Sequence, residues 1–257
     1  MPKNETDAAR AAADAIESLD GTTTHLIVLG DESGSMKGNE EAVVTGINEF
    51  IAKFRDRPKT RFTLAWFDMH PGADRTRVLI DDQRMEATGV IEIGDYRPRG
   101  RTPLNDAIAD MLSRTEGRVK KGDKALFIIF TDGYENASEL SVEECKAMIE
   151  KYEAREEWAF LYLGANQNAQ AVATSYGLGA TGQSMAFTSS PVGTQAMAGY
   201  VGEMGAMRMA SPTKADYEKL AADAARRTGG KIPETEKKDP DKEFGSKRRK
   251  VRDTPQA

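Results

Sequence analysis

The run Ala125-Leu126-Phe127-Ile128-Ile129-Phe130, entered from Lys124, contains no polar residue at all. A strand with one face in water alternates apolar and polar side chains, whereas a strand covered on both faces does not. This run therefore predicts a central strand of a parallel sheet with helices on both sides. A second buried strand is expected at residues 24–29, where His25-Leu26-Ile27-Val28-Leu29 repeats the pattern. Residues 61–67, alternating Phe62, Leu64 and Trp66, and residues 76–80 read as two further strands. The turn Met69-His70-Pro71-Gly72 between them is too short for a crossover, so the pair is expected to be antiparallel at a sheet edge. Residues 158–163 and 185–187 complete the strand set.

Helical periods separate these strands. Val43, Val44, Ile47, Phe50, Ile51 and Phe54 fall near one face of a helix at residues 39–54. Pro103 suits the first turn of a helix running from Thr102 to about residue 114. Ser141 and Glu144 have the spacing of a capping box, for a helix reaching about residue 154. Further helices are expected at residues 167–176, after Ser190-Pro191, and from Ser211-Pro212 to about residue 227. Strand and helix alternating with helix-length connections give an open, doubly wound, mostly parallel α/β sheet. The predicted organisation is an alanine-rich helical arm at residues 1–21, the α/β domain at 22–210, an extra helix at 211–227 and a disordered charged tail at 228–257.

The chain of 257 residues is 39% hydrophobic and 30% charged, as expected of a soluble globular protein. No apolar run is long enough to cross a bilayer, so no membrane partner is expected. The opening Met1-Pro2-Lys3-Asn4-Glu5 leads into no apolar signal segment, and a cytoplasmic location follows as the expectation. Cys145 is the only cysteine, which excludes an intramolecular disulfide. It reads as a small buried residue on a helix. His25 and His70 have no ligand-like neighbours and are assigned no function. The net charge of −5 divides into +3 on residues 228–257 and −8 on the remainder. The acidic body argues against nucleic acid as a partner, except through Lys247-Arg248-Arg249-Lys250 and Arg252 in the tail.

In an open parallel sheet the usable crevice lies beyond the carboxyl ends of the strands, where the strand order reverses. Three expected loops reach that edge. They carry Asp31, Ser33 and Ser35 after the first strand, Thr102 at a helix start, and Asp132 at the end of the most hydrophobic strand. Taken singly, Thr102 and Asp132 read as helix caps, and Ser33 and Ser35 as hydroxyls satisfying turn amides. Taken together they are two carboxylates and three hydroxyls, an all-oxygen set suited to a hard divalent cation. Magnesium or manganese fits such a set better than zinc or copper, since no His or Cys belongs to it.

In order and spacing, Asp31-Glu32-Ser33-Gly34-Ser35, Gly100-Arg101-Thr102-Pro103 and Phe130-Thr131-Asp132-Gly133 resemble the metal-ion-dependent adhesion site of von Willebrand factor A domains. The likeness covers about residues 22–210 and is greatest to small stand-alone members from bacteria and their phages. Leu163-Gly164-Ala165-Asn166-Gln167 is also similar to those proteins. The resemblance implies a non-enzymatic protein-binding module. Its Mg2+ or Mn2+, held by Asp31, Ser33, Ser35, Thr102 and Asp132, bridges to an Asp or Glu carboxylate of a partner. It further implies a place in the cytoplasm of a bacterium or of a phage-infected cell, in some relatives as an adaptor beside a ring ATPase of the MoxR type. Gly30 departs from the pattern: family members carry an apolar residue there, and glycine is expected to loosen the first loop. The alternative functions are a magnesium-dependent phosphohydrolase, with Asp132 and Glu135 as bases, and nucleic-acid or acidic-partner binding through the tail. Against the enzyme, the chain has no Walker A loop, Gly-x-Ser-x-Gly elbow, zinc-protease helix or Cys-x-x-Cys pair. Ser33 also stands where a haloacid-dehalogenase-type phosphatase needs a second Asp.

Overall fold

A computed structural model describes residues 21–72, 74–165, 169–178 and 184–187. The expected N-terminal arm, the helices after Ser190 and Ser211, and the charged tail lie outside the described residues. In chain order the elements are β1 (Thr24–Asp31), a 3-10 turn (Gly34–Met36), α1 (Glu40–Phe54), β2 (Thr60–Phe67) and β3 (Thr76–Arg84). There follow α2 (Leu104–Glu116), β4 (Lys124–Thr131), α3 (Val142–Glu153), β5 (Trp158–Ala165), α4 (Ala169–Ser175) and β6 (Ser184–Phe187).

The six strands run in the order β3-β2-β1-β4-β5-β6. Every neighbouring pair is parallel except β2 with β3, the antiparallel edge hairpin expected from its short turn. The chain winds outward from β1 in one direction and from β4 in the other, so the order reverses between these two central strands. Their carboxyl ends flank the crevice in which a doubly wound sheet binds ligands.

Alternation along the strands divides the core into two layers. Leu26, Val28, Leu64, Trp66, Leu126, Ile128 and Phe130 face α1 and pack on Val43, Val44, Ile47, Phe50, Ile51 and Phe54. Ile27, Leu29, Ala65, Phe67, Phe127 and Ile129 face the other way, against α2, α3 and α4. Burying side chains of this size contributes roughly 1.5–3 kcal/mol each, and β1 and β4 carry polar side chains only at their ends. The Ser141–Glu144 capping box is present as expected, with Ser141 Oγ accepting from the Glu144 amide at 3.2 Å. Cys145 is fully buried within α3.

Several boundaries differ from the sequence reading, with β1 reaching Asp31 and β5 reaching Ala165, and two of them have a physical reason. β3 continues through Asp81 and Asp82 to Arg84. An edge strand leaves one side open, and here Arg114 and Arg118 pair with Asp81 while Arg61 pairs with Asp82, so the acids do not end the strand. α2 begins at Leu104, with Pro103 in the cap position rather than in the first turn.

Gly30 lies inside β1, not in a loop, and loosens nothing. It is in register with Trp66 on β2 and with Phe130 on β4. A Cβ at Gly30 would come within 2.8 Å of ring carbons of both, and both rings are buried. The neighbouring rings thus occupy the volume that an apolar side chain would take at this position. Gly30→Ala is expected to overpack the core and cost about 1–3 kcal/mol of unfolding free energy. Urea denaturation would measure it, and an unchanged midpoint would contradict the packing argument.

Candidate metal centre

Asp31 is the last residue of β1 and is 0% exposed. Its Oδ1 accepts a hydrogen bond from the Ser33 amide at 2.7 Å, and its Oδ2 accepts one from the Thr131 hydroxyl at 2.5 Å. The carboxylate therefore does the turn-closing work that the sequence left open to the serine hydroxyls. Ser33 stands at the cap position of the 3-10 turn without a side-chain capping bond. Ser33 Oγ and Ser35 Oγ lie 3.1 Å apart, and Ser35 Oγ donates to Asp132 Oδ1 at 2.6 Å. Adjacent ligands of an octahedral magnesium ion, each about 2.1 Å from it, are separated by roughly 3 Å. These separations have that scale.

Thr102 reaches the same place from a third loop. Its amide donates to Asn136 Oδ1 at 3.0 Å and its carbonyl accepts from the Asn136 amide at 3.2 Å. Thr102 is thus tied to the loop after β4 and caps no helix, and the cap of α3 is Ser141, not Asp132. Gly133 shows how close the loops come. A Cβ there would lie 3.1 Å from Thr102 Oγ1 and 3.6 Å from Asp31 Oδ2, so a side chain at this position would press on the first oxygen and touch the second. Gly100 has φ +71, and a Cβ on it would sit 2.7 Å from the Met69 carbonyl carbon. Only glycine allows this loop to press against Met69 while its carbonyl accepts from the Gly34 amide at 3.1 Å. All five residues singled out in the sequence are thereby gathered at the carboxyl ends of β1 and β4.

Burial pushes the Asp31 carboxyl up to about 6, against the lowering effect of its bonds to Thr131 and Ser33, and Asp132 adds to the rise. Among the described residues, no cationic side chain figures in these influences. Glu32, 1% exposed, is by contrast paired with Arg77 at 2.6 Å and also accepts from the Arg97 amide. The Tyr96 hydroxyl donates to the Asp31 carbonyl at 2.6 Å, and burial, with Asp31 and Glu32 nearby, holds it well above its ordinary range as a pure donor. Glu135, a candidate base in the enzymatic alternative, is consumed by structure: it accepts from the amides of Asn105, Ala137 and Ser138 and from the Ser138 hydroxyl. Burial raises the Cys145 thiol to about 12, which makes it a poor nucleophile. His25 lies at the amino end of β1, between Asp82 and Asp123, away from the centre.

Sequence reasoning missed Thr131, Glu32, Tyr96 and Asn136. Thr131 had a visible signal, as the one hydroxyl closing an otherwise apolar strand. The other three become legible only once distant segments meet.

In the unfolded chain an aspartate titrates near 4, whereas Asp31 in the folded chain titrates at about 6. The folded state binds the proton more tightly between these values, so this carboxyl makes stability fall as pH rises from about 4 through about 6. The total effect is on the order of 3 kcal/mol. Urea denaturation in chelator across that range should show the slope, and Asp31→Asn should flatten it. A parent protein without the slope would contradict an uncompensated Asp31.

No protein-family model and no curated protein sequence matches the chain. Solved structures match by fold. The von Willebrand factor domain of the type V pili tip protein Mfa5 from Porphyromonas gingivalis is 10% identical, with 73% of this chain and 96% of that one covered and a TM-score of 0.55. The pilus adhesin SpaC from Lactobacillus rhamnosus GG is 13% identical over 72% of this chain and 30% of that one, TM-score 0.56. Proximal thread matrix protein 1 from the mussel byssus is 15% identical over 69% of this chain and 46% of that one, TM-score 0.50. The chain thus spans less than half the length of the last two. Among the described residues no helix is long and apolar enough to cross a membrane. At these identities the likeness is one of architecture, and it agrees with the doubly wound sheet and the placement of the centre: the chain has the von Willebrand factor A fold.

Proposed function

We propose that the protein is a metal-dependent protein-binding module in which Asp31, Ser33, Ser35, Thr102 and Asp132 hold Mg2+ or Mn2+. The observation that carries this reading is a buried carboxylate that has no cationic partner among the described residues, facing a second carboxylate and three hydroxyls. A fold does not keep such charge at its crevice cheaply. A divalent cation offsets it, and the hard oxygens favour magnesium or manganese over zinc. Ser33, Ser35 and Thr102 would serve as neutral ligands, with Asp31 and Asp132 acting directly or through water. An ion so held keeps positive charge and an exchangeable position, which an Asp or Glu carboxylate of a partner can fill.

Binding is favoured over hydrolysis because, of the two candidate bases, Glu135 is committed to the Asn105, Ala137 and Ser138 amides, and Asp132 Oδ1 accepts from the Ser35 hydroxyl. The pilus tip protein and the pilus adhesin of the same fold are consistent with an interaction role. The finer reading is a cytoplasmic adaptor in a bacterial or phage assembly, beside a MoxR-type ATPase. It is tested by co-purification with and without chelator, and loss of the ATPase from the retained fraction in both conditions would remove it.

Asp31→Ala and Ser35→Ala are each expected to weaken Mn2+ binding at least tenfold while circular dichroism stays that of the parent. Asp31→Ala also deletes the bonds to the Ser33 amide and the Thr131 hydroxyl, so Ser35→Ala, which keeps both, is the variant whose loss of binding separates metal contact from folding. Calorimetric or electron paramagnetic resonance titration measures this. Mn2+ binding by Asp31→Ala as tight as that of the parent would refute the site.

A further inference from the structure

We infer that the partner segment is acidic beyond its coordinating carboxylate, and that Arg97, Arg99 and Arg101 on one side of the centre and Tyr134 on the other recognise it. The inference rests on the metal-dependent binding proposed above and specifies its partner.

Most described arginines are already neutralised within the protein. Arg61, Arg75, Arg77, Arg84, Arg114, Arg118 and Arg155 each lie within salt-bridge distance of a carboxylate. In the loop leading into Thr102, only Arg99 of three arginines has an ion pair among the described residues. Arg97 is exposed, and its side chain donates to the Gly94 carbonyl at 2.7 Å rather than to an acid. Arg101 is exposed, and its guanidinium has no hydrogen bond or ion pair among the described residues. Arg99, with a side chain 42% exposed, reaches Asp68 Oδ2 only at 3.3 Å, and that oxygen also receives His70 Nδ1 at 2.8 Å. Three positive charges thus fall within five residues and one acid answers them, in a chain whose body is acidic.

The loop that carries them is held in place. The Arg99 amide donates to the Glu32 carbonyl at 2.8 Å, and Arg101 and Met69 exchange two backbone hydrogen bonds of 2.9 Å each. The first of these bonds, with that of the Gly34 amide to the Gly100 carbonyl, fixes the arginine backbone to the loop of Ser33 and Ser35, and the Met69 pair fixes it to the turn after β2, one to five residues before Thr102. Exposed Lys37, just after that loop, adds to the same sign, while the nearby Glu40 accepts from the Gly38 amide. Across the centre, Tyr134 follows Asp132 by two residues and is 62% exposed. Arginine binds carboxylates through paired donors, and Tyr with Arg dominates the energetics of protein interfaces. From residue 97 to residue 101 the backbone reaches at most about 14 Å, the length of four or five residues of extended partner. The fitting occupant is a segment in which the coordinating Asp or Glu stands among further Asp or Glu residues within that length.

The test uses the full chain with Mg2+ at physiological salt and two labelled peptides of equal length, one with a single Asp among glycines and one with four acidic residues. Fluorescence anisotropy reads peptide binding, and Mn2+ titration in parallel reads the metal centre. The acidic peptide should bind at least tenfold more tightly than the single-Asp peptide, and chelator should remove the binding. The double variant Arg97→Gln with Arg101→Gln should lose most of that advantage, and Tyr134→Ala should weaken the acidic peptide severalfold, both with Mn2+ affinity within about twofold of the parent. Equal affinity for the two peptides while Mn2+ binds overturns this inference and leaves the metal reading intact. An advantage that survives in the double variant overturns it as well, as does tighter binding of a single-stranded oligonucleotide of matching length. Absence of Mn2+ binding by the parent defeats the metal reading instead.

Discussion

The structure turns on one carboxylate, Asp31, enclosed where the sheet changes winding direction. It closes the first loop through the Ser33 amide and joins β1 to β4 through the Thr131 hydroxyl. One side chain therefore shapes the loop that presents Ser33 and Ser35 and ties it to the strand that presents Asp132. Its burial carries an electrostatic cost that its hydrogen bonds only partly offset. That residual cost is what the proposed divalent cation would offset.

The remaining contacts near the centre set its geometry. Glu32 and Arg77 form an ion pair that joins the first loop to the edge strand β3, and the Glu32 carbonyl accepts from the Arg99 amide. Gly100 brings the third loop against Met69 at a distance that a side chain would forbid, and Asn136 brackets Thr102 from both its amide and its carbonyl. Backbone hydrogen bonds thus hold the loops to one another. A centre built on loops held in this way would bind without ordering its own scaffold, which would keep the entropic cost of association low.

Charge is divided by depth at this edge of the sheet. Acidic side chains, Asp31 and Glu32 above all, lie buried beneath the crevice, while the loop rim exposes arginines. An acidic partner of the kind inferred above would meet favourable potential at the rim first and the proposed carboxylate site afterwards. This ordering favours encounter and specificity, for which surface charge is best suited.

Much was legible in the chain itself, because strand burial and hydrophobic period are local properties. The apolar runs of β1, β4 and β5, the amphipathic period of α1 and the Ser141–Glu144 cap identified a doubly wound sheet without reference to distant residues. The spacing of Asp31, Ser33 and Ser35 with Thr102 and Asp132 identified the candidate oxygens for a similar reason, since loops at the carboxyl ends of central parallel strands converge. Tertiary structure alone decided what depends on neighbours far away in the chain. Gly30 reads as a weakness in sequence and proves a packing requirement, because Trp66 and Phe130 flank it. β3 outlasts its apolar residues because arginines from β2 and α2, and one just past the end of α2, meet its acids. The serine hydroxyls remain free of the turn amides because Asp31 takes that role, and a local pattern cannot say which of two oxygens wins a shared donor.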